Sequence, residues 1–110
     1  MEKEEILSHL EDDLANPGSQ KSGEFLEEHA LVTAHRALET GNREALVEAM
    51  VCWLRDRSEP RTMLAVSIAK ELSLGELRAE LRVLKAEIDD GRVFLPFYAR
   101  RVDAALNALG

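Results

Sequence analysis

The strongest constraint on the fold is a line of apolar residues that recurs every three or four positions between residues 74 and 88. Its members are Leu74, Leu77, Leu81, Leu84 and Ile88. An α-helix has 3.6 residues per turn, so this spacing places all five side chains on one face. The segment therefore predicts an amphipathic helix whose leucine face is buried, beginning at the Ser-x-x-Glu capping pattern of Ser73 and Glu76.

Similar spacing predicts five further helices. Their expected ranges are residues 2–15, 24–40, 43–57, 58–72 and 96 onward. Only five of the 110 residues are aromatic, while Ala and Leu are abundant, which favours packed helices over a β-sandwich. We expect an all-α fold of about six helices, arranged either as stacked antiparallel helical hairpins or as a compact helical bundle.

The length is that of a single domain, here residues 1–110. We expect an N-terminal helix at 1–15, a flexible linker rich in turn-forming residues at 16–23, and a helical-hairpin core at 24–110. One cysteine cannot form an intrachain disulfide, and no apolar run suits a signal peptide or a membrane span. A cytoplasmic protein without a membrane partner is predicted.

Internal repetition supports the hairpin arrangement. A shift of about 34 residues places Gly41 on Gly75, and helices two and three on helices four and five. Three further features accompany the repeat: Pro60 and Pro96 near helix starts, the acidic turns "LRDRSEP" and "IDDGRVFLP", and Leu/Ala seams. By these features, residues 24–110 resemble short HEAT-like α-solenoids. The resemblance implies a protein-binding surface rather than an enzyme, and it identifies no functional residues.

Charge is distributed unevenly along the chain. Residues 1–50 contain four Lys or Arg against twelve Asp or Glu, a net charge of −8, whereas residues 51–110 have a net charge of +1. An acidic N-terminal half would repel phosphates, so we expect no nucleic-acid partner. A basic protein partner fits the charge, and an acidic surface that only keeps the domain soluble is the alternative.

Residues that could carry chemistry form no recognisable site. The three histidines do not share one helix face at metal-ligand spacing, and the six glycines form no phosphate-binding loop. Cys52 lies beside Trp53 in the most apolar helix, where a buried thiol is inert. We expect no catalytic residue, metal or cofactor, and a non-enzymatic protein.

Two helical surfaces are candidate partner-binding sites. On helix two, one face collects Phe25, Glu28, His29, Val32 and Arg36, although helix one folding back onto Phe25 and Val32 would cover it. On helix five, a basic line could receive an acidic partner or the acidic half of a second copy, unless it is an ordinary solvated face. The basic line consists of Arg78, Arg82 and Lys85.

The stretch "DDGRVFLPFYARR", residues 89–101, holds three of the five aromatic residues. The apolar crossover at residues 93–95 is predicted to seal the end of the helix stack, and a recognition site is the alternative. Phe97 projects away from the Val102 and Leu106 stripe. It becomes a candidate partner-binding residue if it is exposed.

These patterns together predict a protein–protein interaction module. One version is an acidic immunity-type or adaptor protein that neutralises a basic partner through its carboxylates. Those carboxylates are Glu24, Glu27, Glu28, Glu44 and Glu48. The alternatives are a structural homodimer and a ligand-binding or enzymatic pocket near Trp53, with Met50 and Met63 in its lining and His29 or His35 as polar groups.

Overall fold

A computed structural model describes residues 2–15 and 23–110, apart from the side chains of residues 15 and 23–26. All regular elements among these residues are helical. They are α1 (Lys3–Ala15), α2 (Gly23–Glu39), α3 (Arg43–Asp56), α4 (Glu59–Glu71), α5 (Arg78–Asp89) and α6 (Ala99–Leu109), with 3-10 turns at Gly75–Leu77 and Pro96–Tyr98. The predicted all-α fold class is confirmed. No helix in the described ranges is long and apolar enough to cross a bilayer.

The chain divides into two compact units, Met1–Ala49 and Met50–Gly110, with the boundary inside α3. The predicted linker at 16–23 lies outside the described residues, except for Gly23, which begins α2. Whether helix pairs form HEAT-like repeats stays a prediction.

In the first unit, α1 packs along α2. Ile6 and Leu10 of α1 are buried, as are Ala30, Ala34 and Ala37 of α2, whose small side chains let the two helices approach closely. After α2, Gly41 takes a left-handed conformation at φ +77. There the amide of Asn42 donates to the carbonyl of Ala37 at 2.9 Å, which ends the helix in the manner of a Schellman motif.

In the second unit, α6 lies against both α4 and α5. The predicted leucine face of residues 74–88 is confirmed, since each of its five side chains is at most 1% exposed. The buried Thr62 hydroxyl of α4 donates to the carbonyl oxygen of Trp53 at 2.9 Å. This bond gives the one buried polar side chain among the described residues a partner.

Helix α5 begins later than the capping pattern predicts. The chain leaves α4 through Ser73, which adopts φ +52, and the amide of Leu74 donates to the carbonyl of Ala69 at 3.0 Å. A 3-10 turn at Gly75–Leu77 follows, and α5 starts at Arg78. The left-handed position therefore belongs to Ser73 and not to Gly75.

Two arginine–glutamate pairs connect the end of α3 to α5. Arg55 donates to Glu80 through Nε at 3.1 Å, and Arg57 Nη2 lies 2.8 Å from Glu87 Oε2. The hydrogen bond from Arg57 lowers the pKa of Glu87 below its ordinary value of 4.5. These pairs direct Glu80 and Glu87 toward α3.

Candidate functional site

An exposed apolar surface lies at the junction between α5 and α6. Leu95 and Phe97 are 61% and 59% exposed, and Phe94 and Tyr98 beside them are half-buried. We call these four side chains the aromatic patch. Large apolar side chains grouped in this way on a small protein are typical of contact surfaces.

The backbone around the patch is specified by local sequence. Gly91 at φ +74 ends α5, and Pro96, which has no amide hydrogen to leave unpaired, starts the 3-10 turn that leads into α6. Phe94 adopts φ +54, a left-handed conformation that costs a residue with a side chain roughly 1–2 kcal/mol. Backbone strain of this kind clusters at binding and switch sites.

The rings of the patch are ordered against one another. Phe97 stacks on Tyr98 with centroids 4.2 Å apart and an interplanar angle of 29°. Phe94 tilts against the same tyrosine ring, with centroids 5.5 Å apart. Tyr98 therefore holds both phenylalanines, and the patch presents a preorganised apolar surface.

The prediction that the crossover seals the end of the helix stack is wrong for Leu95, which is mostly solvent-exposed. A crossover of a few residues has no helical period from which a buried side could be read, and Leu95 lies in extended backbone directly before the 3-10 turn that Pro96 begins. Phe97 is exposed, as the alternative interpretation required. The sequence pattern identified Phe97 as a candidate residue, whereas Leu95, Phe94 and Tyr98 entered only through the alternative interpretation of residues 89–101 as a recognition site.

The predicted basic line on α5 is largely occupied by contacts within the chain. Arg78 donates through Nη2 to the carbonyl oxygen of Leu109, which supports the end of α6. Lys85 Nζ lies 2.8 Å from Asp89 and 3.7 Å from Asp103, and the hydrogen bond with Asp89 raises the pKa of this lysine. Arg82 is exposed.

The predicted face of α2 takes part in a shallow groove of about 380 Å³ in the first unit. It gathers four of the predicted residues, Glu28, His29, Val32 and Arg36, with Asp13 and Thr33. The side chain of Phe25 lies outside the described residues. Helix α1 contacts α2 through the 3.4 Å hydrogen bond from Thr33 to Asp13, yet Val32 stays 55% exposed, so α1 does not cover it.

Several of the predicted carboxylates are accessible in the same unit. Glu28, Glu44 and Glu48 are exposed and Glu27 is half-buried, while the side chain of Glu24 lies outside the described residues. Glu44 and Glu48 line a shallow hollow of about 340 Å³, together with Glu2 and Lys3. This hollow is more acidic than the α2 groove.

The residues predicted to line a pocket near Trp53 are core side chains. Trp53 and Met63 are each 4% exposed and Met50 is fully buried, whereas His29 and His35 are exposed. Cys52 is half-buried rather than buried. Across the described parts of the chain, no three His, Cys, Asp or Glu side chains converge as a metal site would require.

Comparison with known proteins gives no match: no family model fits the chain, and no curated protein or solved structure is significantly similar to it. The class of protein is therefore described from its own fold and surface. It is an all-α protein with an exposed, internally stacked aromatic patch in the turn that leads into α6.

Proposed function

We propose that this chain is a non-enzymatic protein-interaction module and that the aromatic patch is its principal docking surface. The observation that carries the proposal is the exposure of Leu95 and Phe97, each by about three fifths, on a turn that stacking and Pro96 hold in place. Burial of apolar surface contributes a favourable free energy of about 25 cal/mol per Å², which exposed surface does not gain. A partner that covers the patch recovers this free energy.

The side chains of the patch are also preorganised for binding. Phe97 and Phe94 are both set against Tyr98, so binding would restrict few additional rotamers, and the entropic cost of association is reduced. Aromatic side chains of this kind are frequent among the residues that contribute most to interface affinity. The strained backbone of Phe94 fits the same role.

The other hypotheses have less support. A ligand pocket at Trp53 would have to open a core in which that side chain is 4% exposed.

The neutralising hypothesis, with a basic partner, would use the exposed carboxylates Glu44 and Glu48 in the first unit. Reversing the charge of both carboxylates tests this hypothesis directly. A structural homodimer could also form through the patch, so the experiment must distinguish a second copy of the chain from another protein.

Photo-crosslinking tests the proposal. A photoreactive phenylalanine analogue replaces Phe97 in the full chain expressed in its source cells, and the matched control carries the analogue at Val83, an exposed apolar position on α5. A discrete adduct with one other polypeptide, seen from position 97 and not from 83, supports the proposal. An adduct of two identical chains indicates a homodimer instead, and equal labelling from both positions contradicts a docking role for the patch.

A further inference from the structure

Basic side chains flank the aromatic patch in the sequence. The stretch from Arg92 to Arg101 contains three arginines and no Asp or Glu, and all three arginines are exposed. Arg101 follows Phe97 by four residues, about one helical turn, which places the two on the same side of the chain. The surface therefore combines exposed rings with positive charge.

The acids nearest in sequence lie beside Lys85 and Arg92, and not beside Arg100 or Arg101. Asp103 and Asp89 both face Lys85, at 3.7 Å and 2.8 Å, while Asp90 lies 3.9 Å from Arg92. Within the described part of the chain, Arg100 and Arg101 are left without an ion-pair partner. The first turn of α6 contains no acidic residue, and the helix dipole adds positive potential there.

Accordingly, we infer that the partner presents an acidic segment that also carries apolar side chains, an inference that rests on the proposed function. The apolar residues of the segment contact Phe97 and Leu95. Its carboxylates lie toward Arg100 and Arg101. Arginine can bind a carboxylate through two parallel hydrogen bonds, which fixes orientation as well as attraction. Complementary charge also accelerates association and disfavours basic competitors.

The size of the patch favours a segment over a folded second copy. With two side chains about three fifths exposed and two half-buried, the patch offers on the order of 300 Å² of apolar surface. A standard interface between folded proteins buries about 800 Å² on each partner. A short segment that reaches only the patch and its arginines needs much less.

Selection from a random library of short displayed peptides tests this inference with the full chain. We expect the enriched peptides to be acidic and to contain aromatic or branched apolar residues. Their affinity should fall about tenfold or more in Phe97→Ala and also in the double variant Arg100→Gln/Arg101→Gln. The matched controls, Val83→Ala and Arg82→Gln, should bind as the wild type does, and circular dichroism should show that every variant is folded.

The outcomes separate the inference from the proposed function. Neutral or basic peptides whose binding depends on Phe97 would overturn the acidic partner and leave the docking surface standing. If no enriched peptide depends on Phe97, both are overturned. Co-sedimentation with phosphatidylserine vesicles, present in the wild type and lost in Phe97→Ala, would assign the patch to an anionic membrane surface and also overturn the inference.

Discussion

Phe97 stacks on Tyr98 with ring centroids 4.2 Å apart, yet more than half of its own surface faces solvent. The contact holds the ring without burying it. A core side chain is both fixed in one conformation and buried, whereas a disordered surface side chain is mobile and exposed. Phe97 is fixed by its contact and still exposed. This combination is suited to recognition, because the ring is already placed when a partner arrives.

The effect of Phe97 on stability distinguishes a surface side chain from a core side chain. Phe97→Ala should lower the free energy of unfolding by less than about 1 kcal/mol, because the ring is mostly exposed and loses chiefly its contact with Tyr98. Leu81→Ala, a fully buried control in α5, should lower it by about 3 kcal/mol. Urea denaturation measures both. Equal losses in the two variants would show that Phe97 is a core residue after all.

A second prediction concerns the strained backbone at Phe94. Glycine is favourable at φ +54, so Phe94→Gly removes strain of roughly 1 kcal/mol while it also removes the ring contact with Tyr98. We expect the two effects to offset within about 1 kcal/mol, although binding through the patch should weaken. Phe94→Ala loses the ring and keeps the strain, so it should be the less stable of the two variants in thermal denaturation. A more stable alanine variant would contradict the strain.

Much of the architecture could be predicted from the sequence, because burial along a long helix follows its period. Residues 74–88 show this, since their spacing alone identified five side chains that are fully buried. Short connections carry no such period. The sequence therefore did not reveal that Ser73 takes the left-handed position before α5, nor that Leu95 faces solvent.

The candidate site was predictable only in part. Three aromatic residues and three arginines in one short stretch were a visible signal, but composition does not show which side chains are exposed. The basic line on α5 shows a different error, in which side chains expected to be available to a partner are already bonded within the chain. Arg78 and Lys85 share a helix face in projection, yet both bond to other residues within the chain, and a projection of one helix cannot reveal those partners.

A third prediction follows from the lowered pKa of Glu87, whose first cause is its hydrogen bond with Arg57. A carboxylate with a depressed pKa in the folded state contributes stability above its unfolded pKa, near 4.5, and loses it as the pH falls through the lower folded value. The Tm difference between the wild type and Glu87→Gln should therefore be largest at neutral pH and disappear in acid. Glu71→Gln, at an exposed position at the end of α4, controls for the loss of one negative charge. A difference that grows as the pH falls would contradict the assignment.

The most direct test of the proposed docking surface is the affinity of a partner found by crosslinking, measured by calorimetry with the wild type, Phe97→Ala and Val83→Ala. We predict that Phe97→Ala weakens binding about tenfold or more, while Val83→Ala leaves the affinity unchanged. Equal affinity for the wild type and the folded Phe97→Ala variant would contradict the claim that the aromatic patch binds another protein.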